Sequence, residues 1–281
     1  MEWKFTKMHG CGNDYIYVNC LKEKVPEKSR PDLSRRVSHR NFGIGSDGLI
    51  CICPSDKADF KMDMYNADGS SAQMCGNGIR CLAKYVFERG MTDKTRLDIE
   101  TGAGIRTVWL NIKDGVVVSV RVCMGGPEFS PEKIPVLADG KDFINKPVEV
   151  AGIVWNVTAL SVGNPHAVVF VDNVDWLDLQ TIGPLFENNP LFPERINTEF
   201  VQVIDRGTLK LRVWERGSGE TLACGTGSTA ALAAAVVCGK SDNSAKLILR
   251  GGELLIEWDR QDGQIYMTGP ADYVCEGRLL P

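Results

Sequence analysis

The sequence predicts an α+β chain of two pseudo-symmetric domains, each a curved, mostly antiparallel sheet wrapped around one central helix. Three observations carry this. Short runs of strand type, with apolar residues alternating or in brief blocks, fill most of the 281 residues. Two helical segments each begin directly after Cys-Gly-x-Gly, at Cys75 and at Cys224. The residues leading up to those two cysteines recur at matching spacings. The expected domains are 1–122 together with 270–281, carrying Cys75, and 123–269, carrying Cys224.

Taken in order, Lys4–Lys7 and Tyr15–Val18 read as strands around H-G-C-G-N-D. Pro31–Arg40 reads as a helix, with proline in its first turn. Asn41–Gly48 is a glycine-rich turn. It is no dinucleotide loop, because strand Leu49–Cys53 follows where a helix would be needed. Phe60–Tyr65 alternates as a half-buried strand and delivers the chain to Asn66. In the next helix Ile79, Leu82, Ala83, Val86 and Phe87 form one apolar stripe, and Gly90 ends it. Arg96–Glu100, Ile105–Ile112 and Val116–Met124 are strands, with Asp114-Gly115 as a hairpin turn. Gly125–Pro135 is the expected inter-domain linker. Strands resume at Val148–Val150, Val154–Val162 and Val168–Val171. Leu177–Glu187 is helical, and Phe200–Ile204 and Leu209–Glu215 are strands. The helix after Cys224 has small or apolar residues all round, which predicts burial on every side. Leu247–Leu249, Leu254–Trp258 and Ile265–Met267 complete the strands.

Composition narrows the function classes. A hydrophobic fraction of 43% and a charged fraction of 24% describe a globular chain with ample core. Net charge is −4, and no Lys/Arg cluster interleaves with aromatics, so a nucleic-acid partner is not expected. No apolar run is long enough to span a bilayer and the N-terminus lacks a signal-peptide core, so the expected location is the cytoplasm, with no membrane partner. Ten cysteines without C-x-x-C and three histidines give neither a disulfide framework nor a zinc spacing. Most of these cysteines should be small buried hydrophobes.

The duplication singles out two of them. Cys75 and Cys224 lie 149 residues apart (224 − 75). Asn66 and Glu215 each open a polar turn nine residues before their cysteine (75 − 66; 224 − 215). Gly48 and Asn197 each precede theirs by 27 (75 − 48; 224 − 197). Gly12-Asn13 and Gly163-Asn164 precede them by about 60. If two such domains pack about a pseudo-two-fold axis, both helix N-termini can face one cleft.

Two facing thiols could form a redox disulfide, hold a metal, or act as an acid–base pair. Only thiols converge, which disfavours metal, and the usual redox device is a short Cys-x-x-Cys loop. An acid–base pair fits best: a thiolate takes a proton from one face of a carbon while a thiol returns one to the other face, inverting the centre. A helix N-terminus favours thiolate and binds anions. Two of them aimed at an α-carboxylate would stabilise the enediolate that forms, without pyridoxal phosphate.

M-H-G-C-G-N-D-Y, N-A-D-G-S, C-G-N-G-I-R-C, G-N-P-H, F-P-E-R-I-N, W-E-R-G-S-G-E-T and A-C-G-T-G together closely resemble the diaminopimelate epimerase family, in that family's order and over essentially the whole chain. The resemblance implies interconversion of LL- and meso-diaminopimelate, for lysine and peptidoglycan precursors, with no cofactor and no metal. It implies Cys75 and Cys224 as the acid and base, exchanging roles with direction. Gly76, Asn77, Gly225 and Thr226 would hold the reacting carboxylate, largely through backbone N–H groups. Asn13, Asn66, Asn164, Asn197 and Arg216 match substrate-binding positions, and Glu215 would take a substrate ammonium. His166 and Glu215 match positions that influence the thiols' proton affinity. A homodimer is implied by resemblance alone. At Gly48 some members carry a substrate-contacting Gln, so Gly48 stands outside the expected site, and Cys11 is read as incidental. A two-thiol racemase acting on proline or hydroxyproline, and a thiol–disulfide redox or binding protein, are the alternatives. The asparagine set with Arg216 and Glu215 favours a substrate with a second amino-acid head.

Overall fold

The structure, a computed structural model, describes residues 3–280. In chain order the elements are β1 (Trp3–Gly10), β2 (Asn13–Asn19), α1 (Arg30–Ser38), β3 (Gly48–Cys53), β4 (Phe60–Asn66), β5 (Ser71–Ala72), α2 (Gly76–Glu88), β6 (Arg96–Thr101), β7 (Gly104–Lys113) and β8 (Val116–Gly125). They continue as β9 (Phe143–Val150), β10 (Ile153–Ser161), β11 (Pro165–Phe170), α3 (Leu179–Glu187), β12 (Asn197–Asp205), β13 (Thr208–Glu215), β14 (Gly219–Thr221), α4 (Gly225–Val237), β15 (Ser244–Leu249), β16 (Gly252–Trp258), β17 (Ile265–Gly269) and β18 (Asp272–Leu279). The chain divides into two compact units, Met1–Val122 with Gly269–Pro281, and Cys123–Thr268.

Each unit has the same internal topology. In the first, the strands run β18–β1–β2–β3–β4–β6–β7–β8, antiparallel except at β2–β3 and β4–β6. In the second, they run β9–β10–β11–β12–β13–β15–β16–β17, antiparallel except at β11–β12 and β13–β15. A parallel pair needs a crossover, and helices supply it. α1 and α3 make the first crossover of their units, and α2 and α4 the second.

The sheet of each unit packs on its second helix. Of the predicted stripe in α2, Ile79, Leu82, Ala83 and Val86 have no exposed surface, and Phe87 is half-buried. The six residues Ala230–Ala235 of α4 are all fully buried, as its unbroken apolar surface requires. The hairpin expected at Asp114-Gly115 forms, and a second joins β9 and β10 at Ala151-Gly152, with positive φ at all four residues, the backbone of a type I′ turn. No helix among the described residues is long and apolar enough to cross a membrane.

Several elements differ from expectation. Gly125–Pro135 is no free linker: Glu128 exchanges both backbone hydrogen bonds with Ser161, at 2.9 and 2.8 Å, which fastens this stretch to β10 of the second unit. β18 was not predicted. Its D-Y-V-C-E-G-R-L is largely solvent-exposed, so it carries no apolar alternation, and pairing with β1 alone defines it. The short β5 and β14 are also absent from the sequence reading, being two- and three-residue pairings against β4 and β13.

One close contact locks the second unit. A Cβ at Gly183 in α3 would collide with the ring of Trp214, whose Nε1 donates to Glu187 Oε2 at 2.7 Å. Gly183→Ala would ordinarily gain about 1 kcal/mol in a helix. Here overpacking against a buried indole should reverse the sign, costing about 1–3 kcal/mol. A urea titration checks this: the midpoint should fall, and a rise would contradict the packing.

Candidate active site

Cys75 is the N-cap of α2 and Cys224 the N-cap of α4, both in extended backbone conformation. The two caps are alike. Each carbonyl accepts the first helical bond, from Ile79 or Ser228 at 2.9 Å. Each sulfur accepts from the backbone N–H three residues on, Gly78 or Gly227, at 3.3 Å. Cysteine thus takes the place usually held by Ser or Asp, and the bond it accepts favours sulfur in its anionic form. An α-helix cannot bond its first N–H groups internally, so those of Gly76 and Asn77, and of Gly225 and Thr226, emerge beside the sulfurs. No acidic side chain sits in the first turn of either helix, so an anion meets no competitor there.

In the first unit Asn13 ties the cap together. Its Oδ1 accepts from the Cys75 thiol at 3.2 Å and from Asn77 Nδ2 at 3.1 Å. Its Nδ2 donates to Asp47 Oδ2 at 2.8 Å, which fixes which end of the amide faces the sulfur. Asp47 also accepts from Asp14 N and from Arg40. Tyr15 lies under the same group, and burial followed by the charge of Cys75 pushes its phenol well above the ordinary range. Arg80 is fully buried and bonds Gly76 O at 3.2 Å and Pro270 O at 3.0 Å, which anchors the first turn of α2. Asn66 stands apart from this cluster. It is exposed at the end of β4, with Nδ2 donating to Ser70 Oγ at 3.0 Å.

In the second unit the side chains form a chain of contacts. Thr226 Oγ1 lies 3.4 Å from Cys224 Sγ and 3.4 Å from Asn164 Nδ2. Asn164 Oδ1 is 2.9 Å from His166 Nε2, and His166 Nδ1 is 2.8 Å from Glu199 Oε1. His166 and Glu199 have no exposed surface. Glu215, at the end of β13, accepts from Thr221 Oγ1 and from the Cys224 thiol. Asn197 is turned to the backbone, donating to Pro165 O at 2.7 Å and accepting from Arg216 N at 3.0 Å. It orients the Arg216 turn, while the guanidinium itself is exposed and donates to Glu194 O at 2.9 Å.

Burial, followed by the negative charges of Glu215 and Glu199, holds the Cys224 thiol well above its ordinary pKa, although Thr226 and the Gly227 N–H pull the other way. Cys224 is thus held toward its protonated form. Sequence reasoning missed Asp47, Tyr15, Arg80, Thr221 and Glu199. Glu199 lay within its reach, being two residues beyond Asn197 on one strand. Gly48 has a packing reason to be glycine: a Cβ there would meet Tyr65 O and, at 2.9 Å, the Tyr15 ring. Cys11 is buried at a positive φ beside Arg80.

Burial also raises the pKa of Glu215 above its usual value of 4.5. A raised carboxyl pKa means that the folded state binds the proton more tightly than the unfolded chain. Stability is lost as pH climbs from about 4.5 through the folded value. Glu215→Gln should then melt higher than the parent at pH 7.5, with the margin shrinking toward pH 4.5. Thermal melts across that range check it; a lower melting temperature at pH 7.5 would contradict it.

The chain matches the profile of the family described as Diaminopimelate epimerase over residues 5–130 and 158–274. It is 56% identical over 276 residues to the diaminopimelate epimerase of Acetivibrio thermocellus, covering 98% of each chain. Against the diaminopimelate epimerase of Methanococcus maripaludis strain C5 it is 51% identical, over 98% of this chain and 99% of that one. Among solved structures, a Bacillus anthracis phenazine biosynthesis protein of the PhzF family superposes with a TM-score of 0.71 at 19% identity, over 100% of both chains. A hydroxyproline epimerase from Agrobacterium vitis superposes with a TM-score of 0.69 at 15% identity, over 99% of this chain and 91% of that one. These two likenesses speak for the fold alone. With both thiol-capped helices inside the matched residues, the chain belongs to the diaminopimelate epimerase family.

Proposed function

We propose that this protein epimerises LL-diaminopimelate to meso-diaminopimelate, with Cys75 and Cys224 as the two proton-transfer groups. One observation carries the chemistry. Two cysteines cap two topologically equivalent helices in the same way, each beside outward-facing first-turn N–H groups.

Starting with Cys224 protonated, Cys75 as thiolate takes the α-hydrogen. The C–H bond breaks, an S–H bond forms, and the electron pair moves into the carboxylate as an enediolate. Cys224 then delivers its proton to the opposite face of the carbon and is left as thiolate, ready for the reverse direction. A carbon α to a carboxylate is a very weak acid, so the enediolate needs strong stabilisation. Backbone N–H groups of Gly76, Asn77, Gly225 and Thr226 supply it in this reading. A single such donor is worth about 2.7–4 kcal/mol in a known oxyanion hole.

Asn13, Asn66, Asn164, Asn197, Arg216 and Glu215 bind the substrate in this proposal. The exposed guanidinium of Arg216 suits the distal carboxylate and Glu215 the ammonium. Asn197, engaged with backbone at both ends of its amide, contributes through its remaining Nδ2 hydrogen and by holding Arg216. The chemistry runs on the chain's own groups. A cytoplasmic location belongs to the same proposal, as does a homodimer, which rests on family resemblance.

Purified protein with LL-diaminopimelate, a reductant and no pyridoxal phosphate should yield meso-diaminopimelate, and L-proline should not turn over. Absence of meso product, or comparable turnover of proline, would overturn the reading. Cys75→Ala and Cys224→Ala should each lower turnover by about 10³-fold or more while the circular dichroism spectrum stays that of the parent. Near-normal turnover in either variant would remove the two-thiol mechanism.

A further inference from the structure

The two thiol caps differ in what lies behind them. A Cβ on Gly78 would meet Ile50 Cδ1 at 2.6 Å, and a Cβ on Gly227 would meet Glu199 Oε1 at 2.6 Å. Ile50 and Glu199 each lie 25 residues before their cysteine (75 − 50; 224 − 199). Tyr15 follows Asn13 by two residues, just as His166 follows Asn164. The cap of Cys75 is thus backed by a tyrosine and an isoleucine, and that of Cys224 by a buried histidine and a buried carboxyl.

We infer that Glu199 is a positioning residue for Cys224, acting through His166, Asn164 and Thr226 to make the Thr226 hydroxyl a hydrogen-bond donor to the sulfur. The direction of the chain follows from its far end. Glu199 and His166 are wholly enclosed, and Glu199 Oε2 has no hydrogen-bond partner among the described residues. His166 Nδ1 is committed to Glu199 Oε1, and Nε2 faces Asn164 Oδ1, which can only accept, so the proton of that contact sits on Nε2.

Nε2–H can then only donate, so it selects Asn164 Oδ1 as its acceptor. That turns Asn164 Nδ2 toward Thr226, whose oxygen accepts. The Thr226 hydrogen is left to point at Cys224 Sγ. A donor on sulfur favours thiolate, the form in which Cys224 must act as base in one of the two directions. The ionisable groups facing this sulfur within the unit are Glu199 on β12, Glu215 on β13 and His166 on β11. Both carboxyls oppose thiolate as charges. Glu199 therefore acts in two opposed ways, and its removal distinguishes them: loss of a nearby charge alone would make the thiol more acidic, whereas loss of the oriented chain makes it less acidic.

The consequence for catalysis rests on the epimerase reading, but two tests need no turnover. The first is iodoacetamide labelling of Cys224, followed by peptide mass spectrometry from pH 6 to 10, on the full-length protein. Glu199→Leu should label at least tenfold more slowly than the parent at pH 8. Glu199→Gln, whose amide can donate to Nδ1 and leave Nε2–H in place, should stay within about threefold of the parent. An unchanged or faster labelling rate in Glu199→Leu overturns the inference. The second test uses the parent protein and so survives a variant that fails to fold. With only three histidines, ¹⁵N spectra resolve His166. At neutral pH its Nε2 should carry a proton, and a bare Nε2 overturns the inference.

Discussion

Everything in the proposed site depends on a bond from a helix's first turn to a cysteine sulfur. A backbone N–H at 3.3 Å holds each thiol at the point where the helix dipole and the outward N–H groups act together. Such a cap must be held still, and each half does so in its own way. In the first, buried Arg80 joins Gly76 to Pro270, and Asp47 fixes the Asn13 amide. In the second, the alanine-rich middle of α4, Ala230–Ala235, is fully buried. The sheets and crossovers can be read as the means of burying two helices while leaving their first turns able to bind an anion.

The duplicated topology makes the differences informative. Strand order and parallel pairings are the same in the two units, so the residues behind each sulfur can be compared position by position. Cys75 rests on Asn13, Tyr15 and Ile50; Cys224 faces Glu215 and is backed by Asn164, His166 and Glu199. Two carboxyls and burial hold the Cys224 proton in place. A substrate ammonium at Glu215 would offset one of those charges. Part of the acidity a working thiol needs would then arrive with the ligand.

Much of this was legible in the sequence, for identifiable reasons. The α2 stripe, the all-round apolar α4 and the type I′ hairpin at Asp114-Gly115 are local signals, and they fold as they read. The paired cysteines were visible because spacing survives where side chains diverge. β18 was not legible, since an exposed strand defined by its partner has no periodicity of its own. The segment after Gly125 has the proline and glycine content of a linker, but one backbone pairing at Glu128 and Ser161 makes it part of the second unit. Asp47 and Glu199 were missed because a carboxylate that works by orienting a neighbour has no motif. Only the contacts Asn13–Asp47 and His166–Glu199 reveal it.

The central claim is that two different thiols handle the proton on its way out and on its way back. The most direct measurement follows LL-diaminopimelate in D₂O through the first few per cent of reaction and analyses recovered substrate and product separately. The two-thiol account predicts that meso product carries one deuterium at the inverted carbon from the outset, while recovered LL substrate remains almost unlabelled. Product that retains its original hydrogen, or substrate and product labelled equally from the start, would contradict it.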